Sequence, residues 1–328
     1  MHPSPTQKQI AAKLGVSQTL VSRALSGRAG EIGASLGTIE KIRRAAEEWN
    51  YQPSATALAL LGAPTRTIGV VVKNFDDPYF GRLIGALQVQ AQASRHSLLL
   101  TGCRKEDLSG LQKHRVDGVI LAGSDFQPEG LAAFAREGMP VVQIGTGTPF
   151  PGGTQIHLDE EAGIGDLVAH LSGLGHREIG FVAKEVGANL RRGELLRQAL
   201  RACGFSVREK AFLLFDGSQG AESVARALTA MVRMPTAVVA AEDSIAMPLL
   251  RGLYDAGLRV PQDISIAGID DISAAAQTIP PLTTLRQPIS EMAAAAFLAL
   301  DTSGPHRSTV SIPGKLIVRK SCAPVRLR

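Results

Sequence analysis

From residue 66 onward, short continuous apolar runs alternate with longer amphipathic stretches. The runs TIGVVV (67–72), SLLLTG (97–102), DGVILAG (117–123) and PVVQIG (140–145) lack polar alternation, as do EIGFVA (178–183), AVVAAE (237–242) and ISIAGID (264–270). Such runs are expected of parallel strands buried on both faces. Between them lie helical stretches such as YFGRLIGALQVQAQ, ELLRQALRACG and SIAMPLLRGLYDAG. This order predicts two doubly wound α/β subdomains.

The first 52 residues carry a different period. In TQKQIAAKL, Ile10 and Leu14 fall one turn apart with Ala11 beside them, and Thr6 stands at the N-cap position. Gly15 permits a tight turn, Val16 supplies an apolar plug, and Ser17 precedes a second helix. At about 100° per residue, Gln18, Thr19, Ser22 and Arg23 share one face of that helix, opposite Leu20, Val21, Ala24 and Leu25. Helix, glycine turn and helix form a helix-turn-helix, whose second helix reads base edges in the major groove. Gln suits the adenine N6/N7 edge, and Arg suits guanine or a phosphate. The spacing alone also fits two packed helices of an ordinary α-rich domain. In TIEKIRRAAEEWNY the stripe Ile39, Ile42, Ala46 and Trp49 closes the small core, and YQP ends the helix before Pro53.

Charge sharpens this division. The net charge is +5; residues 1–62 hold seven Lys/Arg against four Glu, and the other 266 residues hold 28 against 26 acidic residues. More than half of the excess therefore sits in the small module, an asymmetry that favours nucleic-acid contact there. No apolar run approaches the roughly 18 residues of a membrane span, and MHPSPTQKQI lacks the apolar core of a signal peptide, so a cytoplasmic protein is expected. The three cysteines, Cys103, Cys203 and Cys322, lie far apart without metal-ligand spacing and read as reduced thiols. Neither a cofactor nor a metal is expected.

TQKQIAAKLGVSQTLVSRALSG, WNYQPSATALALL and TRTIGVVV resemble the lactose-repressor (LacI/GalR) family of bacterial transcription regulators. The likeness continues in collinear order through VDGVIL, HLSGLGHREIGFV, PTAVVAAED, VPQDISIAGIDD and IPPLTTLRQPISEM. It implies a small all-α head, residues 1–52, and a hinge helix with linker, 53–65. A periplasmic-binding-protein-like body follows at 66–328, with one subdomain at about 66–165 and 290–319 and the other at about 166–289 and 320–328. It also implies a homodimer on double-stranded operator DNA, with Leu60 wedged into the minor groove and Ala57 one turn earlier on the same face. Three crossings between lobes that close on a carbohydrate-like effector complete the picture.

Ligands of doubly wound sheets bind beyond the carboxyl ends of strands. After TIGVVV, Asp77, Tyr79 and Phe80 fall at the family's effector loop, with an aromatic ring suited to stack on a sugar. Ser124 and Asp125 follow DGVILAG. Arg192 matches the family's effector-binding arginine, with Arg191 as a stand-in, and Asp270 matches the aspartate that holds ligand hydroxyls. Several positions depart from the family. Glu242 replaces an Asn, Ala162 stands where the lactose repressor has an aspartate, Leu20 replaces a small or hydroxylated residue, and GRAGEIGASLGT is about three residues longer than the usual loop.

Other clusters read as structural. GTGTPFPGG lacks the Lys and Ser/Thr of a phosphate loop and is expected to be a surface loop. DEEAGIGD places carboxylates at a helix start, where the macrodipole favours them. His176 has no second ligand at metal spacing. The expected function is a repressor-type regulator whose operator affinity follows a small molecule. A sugar receptor for transport shares the same body but not the helix-turn-helix, and no nucleophile with an adjacent base suggests an enzyme.

Overall fold

Helix α1 (Gln7–Leu14) opens on a reciprocal cap: Thr6 Oγ1 accepts from the Gln9 N–H (3.3 Å), and the Thr6 N–H donates to Gln9 Oε1 (2.8 Å). Gly15 ends it at φ +64°, turning its N–H toward the carbonyls of Ala11 and Ala12. Ser17 then opens α2 (Gln18–Leu25), its Oγ accepting from the Leu20 N–H at 3.2 Å. Helix α3 (Leu36–Glu48) is capped by Ser35. Ile10, Val21, Ala24 and Ile42 are fully buried where the three helices meet, and Leu14, Val16, Leu20 and Trp49 pack around them. Burial of each large aliphatic side chain contributes about 1.5–3 kcal/mol to holding the three helices together.

The computed structural model describes residues 5–25, 34–51, 64–102, 111, 114–126, 139–147, 153–215, 221–301 and 308–325. It divides into two compact units, 1–65 and 66–328. Ala57 and Leu60, with most of the loop after α2, lie outside the described residues. Among the described residues no helix is long and apolar enough to cross a membrane.

Among the described residues the larger unit contains two six-stranded sheets. The first is built from β1 (Thr67–Val72), β2 (Ser97–Gly102), β3 (Gly118–Ala122), β4 (Val141–Ile144), β5 (Thr154–Leu158) and a late strand, Ser308–Ile312. All its pairings are parallel, in the order late strand, β5, β4, β3, β1, β2. Helix α4 (Pro78–Ala93) follows β1. After β5 the chain enters the second lobe through α5 (Glu160–Gly173), then β6 (Ile179–Lys184), α6 (Gly187–Ala202), β7 (Phe212–Phe215), α7 (Ala221–Thr229), β8 (Ala237–Ala240), α8 (Asp243–Asp255), β9 (Ser265–Asp270) and β10 (Thr283–Arg286). Helix α9 (Ile289–Asp301) returns to pack on α4, and the late strand, β11, joins β5. Finally β12 (Lys315–Ile317) pairs antiparallel with β10.

Two expectations change. SLLLTG is an edge strand with partly exposed residues, Leu100 among them, because only β1 flanks it. The expected subdomain limits also shift: α5 packs in the second lobe from residue 160, and 315–317 belong to the second sheet rather than to a 290–319 segment of the first. The pairing of β12 with β10 decides the latter. Short or polar-alternating segments, TQIHL, FLLF, TTLR, STVSI and KLI, are strands that the apolar pattern did not mark.

The three crossings converge at Gly314. A Cβ there would stand 2.7 Å from Leu158 Cδ1, at the end of β5, and 2.9 Å from the carbonyl oxygen of Arg286, at the end of β10. Only a hydrogen fits between the neighbouring connections. Gly314→Val is therefore expected to lower stability by about 1–3 kcal/mol, the usual cost of overpacking, read as a reduced Tm; an unchanged Tm would mean the crossings separate freely.

Candidate ligand cleft and helix-turn-helix face

The carboxyl ends of strands from both sheets face one cavity of about 250 Å³. In the first lobe, β1 runs into the loop holding Asp77, whose Oδ1 accepts from the Tyr79 N–H (3.0 Å) and so caps α4, with Pro78 in the first turn. This cap turns Tyr79 and Phe80 inward; their rings meet edge to face, 5.2 Å apart at 78°. At the end of β3, Ser124 Oγ accepts from the Thr146 N–H (3.0 Å) just beyond β4, joining two strand ends at the cavity wall.

The second lobe supplies the charge. Arg192, one turn and a half into α6, is buried; its Nε donates to Glu160 Oε1 (2.7 Å) and its Nη1 to the carbonyl of Ala241 (2.7 Å), with Asp270 Oδ1 3.9 Å from Nη1. Gln287 Nε2 donates to the same Asp270 oxygen at 2.6 Å. Arg191 is half exposed and reaches Glu160 Oε2 (3.3 Å) from outside, so Arg192 is the arginine of the cavity. Glu242 Oε2 accepts from Ser244 Oγ (2.9 Å) and lies 3.9 Å from Lys184 Nζ.

Burial drives the protonation equilibria here. It raises Asp77, with Glu242 adding to the effect, and raises Asp270 well above the ordinary carboxylate range despite the opposing Arg192. Burial alone would lower Arg192, but the Glu160 and Asp270 carboxylates outweigh it and hold the guanidinium charged. Burial likewise raises the Tyr79 phenol. Behind the cavity, Asp243 is fully buried; Oδ1 accepts from Thr284 Oγ1 (2.7 Å) and Oδ2 from the Ile272 N–H (3.0 Å), and burial pushes its carboxyl up to about 7.

All seven residues expected at the effector site, Asp77, Tyr79, Phe80, Ser124, Arg192, Glu242 and Asp270, line this one cavity. Glu160, Lys184, Thr146 and Gln287, none of them expected at the effector site, join them. Glu160 sits in the first turn of α5, as the macrodipole favours, and is buried there against Arg192. Gly145 and Thr146 correct the surface-loop reading of GTGTPFPGG, since both line the cavity; residues 148–152 lie outside the described residues. His176 is structural, with Nδ1 2.9 Å from Thr236 Oγ1 and Nε2 donating to the Ala323 carbonyl at 3.1 Å.

In the N-terminal unit the mapped faces hold. Gln18 and Thr19 are exposed, Ser22 and Arg23 are partly exposed, and Val21 and Ala24 are buried. Leu20 packs against the small core, which accounts for an apolar residue where the family carries a small or hydroxylated one.

A helix-turn-helix joined to a two-lobed body with a cavity at its strand ends defines a class: DNA-binding transcription regulators controlled by a small ligand. The family model for a periplasmic binding protein-like domain matches residues 168–322. The chain is 30% identical over 332 residues to the HTH-type transcriptional repressor PurR of Pasteurella multocida, spanning 96% of this chain and 98% of that one. A LacI-family regulator from Enterococcus faecium, solved with bound ribose, superposes with a TM-score of 0.71 at 27% identity, over 79% of this chain and 100% of that one. The lac repressor dimer bound to operator shares the fold, with a TM-score of 0.82 at 23% identity, over 98% of this chain and 100% of that one. The chain belongs to the LacI family of transcription regulators.

The position of Asp243 sets a pH response. Its folded-state pKa, about 7, lies above the ordinary 3.8, so the native state binds the extra proton and that stabilisation is lost as pH rises from about 4 through 7. Wild type should lose stability relative to Asp243→Asn over this window, by at most about 1.4 kcal/mol per pH unit, in denaturant titrations; parallel curves would contradict it.

Proposed function

We propose that this protein is a dimeric repressor that reads a near-palindromic operator through Gln18, Thr19, Ser22 and Arg23, supported by Thr6 and Ser17. A hinge at 53–65 carries Ala57 and the minor-groove wedge Leu60. The effector is a small polyhydroxyl compound held between the lobes by Asp77, Tyr79, Phe80, Ser124, Arg192, Glu242 and Asp270. The single observation that carries this reading is the convergence of these seven residues, from strand ends of both sheets and from α4 and α6, on one cavity.

The chemistry narrows the ligand. A guanidinium, carboxylates and a hydroxyl at fixed positions match the donors and acceptors of a polyol, and the paired rings offer an apolar wall. The cavity is also rich in carboxylates: Asp77, Asp125, Glu160, Glu242 and Asp270 face Lys73, Lys184 and Arg192. Because burial raises Asp77 and Asp270, the charges come near balance, and a lining with no cationic excess favours neutral sugars over phosphorylated or acidic ones. Ribose in the Enterococcus regulator is consistent with this class. The effector acts by binding one lobe arrangement better than the other, and this differential affinity alone moves the operator equilibrium.

Selection from random DNA with the full-length protein should yield a near-palindromic site, and affinity for it should fall as salt rises. Arg23→Ala should weaken specific binding by about 1–3 kcal/mol if Arg23 reads a base; unchanged affinity removes it from the interface. With that operator in hand, pentoses and hexoses are screened for altered binding, each beside its phosphate ester. Asp270→Ala should abolish the response to the active sugar, and an intact response would relocate the pocket. A phosphate ester more potent than its parent sugar would overturn the neutral-ligand reading.

A further inference from the structure

We propose that two hydrogen-bonded latches hold the cleft closed without help from a ligand: Asp125 of the first lobe caps α6 of the second, and Arg82 of the first lobe grips the backbone at the end of β9. The first latch begins just beyond β3. Asp125 adopts φ +57°, a left-handed conformation uncommon outside glycine. Lys73 steadies it, donating from Nζ to the Asp125 carbonyl (3.1 Å) with its ammonium 5.0 Å from the centre of the Phe126 ring. So fixed, Asp125 Oδ2 accepts from the Ala188 N–H across the cleft at 3.2 Å.

That bond meets a need of α6. Its N-cap residue, Val186, provides no side-chain acceptor, so the carboxylate that serves the first turn comes from the opposite lobe. The positive end of a sixteen-residue helix also attracts the charge. Gly187 permits the approach, since a Cβ there would stand 2.6 Å from Asp125 Oδ2.

The second latch uses a side chain of α4. Arg82 Nη1 donates to the carbonyl of Asp271 and lies 3.5 Å from that of Asp270. Both aspartates have positive φ, +117° and +53°. The Asp271 carboxylate is itself clamped by Arg286 Nε and Arg319 Nη2, each at 2.6 Å, so the gripped segment is anchored in its own lobe. One latch therefore ends on the helix that carries Arg192, and the other on the backbone of Asp270. Closure and the cavity wall share the same two elements, and the closed arrangement is set before any ligand arrives.

The Ala188 amide reports on this directly, through hydrogen exchange of the full-length, ligand-free protein. Asp125→Gly keeps the left-handed backbone but removes the acceptor, and Gly187→Ala blocks the approach from the other side; each should speed exchange in 187–190 about five-fold or more. Asp125→Asn retains an oxygen acceptor and tolerates the same backbone, so exchange should stay within about two-fold of wild type. Arg82→Met contacts none of these residues, yet should also speed exchange at 187–190, because freeing either latch lets the lobes part. The proposal is overturned if Arg82→Met leaves 187–190 unchanged, if Asp125→Gly has no effect there, or if exchange rises equally in the buried strand β8.

Discussion

The buried guanidinium of Arg192 is the interaction on which the ligand-binding body depends. It belongs to α6, yet its partners come from the start of α5, from the chain just after β8 and from the end of β9. A charge so placed is costly unless every direction is answered, and removing one partner of such a pair typically costs about 3–5 kcal/mol. Glu160 and the Ala241 carbonyl answer it within the lobe. The third direction is toward Asp270, which stands too far away for a direct hydrogen bond and shares its oxygen with Gln287. The guanidinium is thus fixed in place while its remaining capacity faces the cavity.

This arrangement explains why the residues of the site have such mixed origins. Several strand ends and two helices each contribute a few side chains, and none of them alone makes a binding surface. Their spacing is set by the sheets, and the sheets are set by the apolar runs that bury both faces. Asp77, by capping α4, also aims Tyr79 and Phe80, so one carboxylate orients the aromatic wall and contributes to the polar one.

The strand ends that sequence could locate were those behind unbroken apolar runs. Asp77, Ser124 and Glu242 follow β1, β3 and β8, and Asp270 closes β9, so the apolar runs point to their neighbourhoods, while the roles of Asp77, Arg192 and Asp270 rest on the family resemblance. Glu160 and Gln287 follow β5 and β10, whose sequences, TQIHL and TTLR, are short and interrupted by polar residues. Those strands exist because neighbours pair with them, a tertiary effect that local pattern does not carry. A missed strand therefore hid the side chain at its end. In the same way KLI is too short to announce itself, and its pairing with β10 moved a lobe boundary. Leu20, where the family carries a small or hydroxylated residue, gains its role from the packing of three helices, which its own helix does not show.

The convergence of three connections at Gly314 bears on how such proteins can be recombined. Because the chain passes back and forth, neither lobe is a continuous piece of sequence, and grafting one lobe from a relative needs three junctions placed at the same crowded point. The N-terminal unit is different: a single junction near residue 65 separates it from everything else. Exchange of parts between relatives is therefore far easier for the reading head than for half of a ligand cleft, so new pairings of operator with signal can arise from one crossover, whereas new ligand preferences must accumulate by substitution along the cleft.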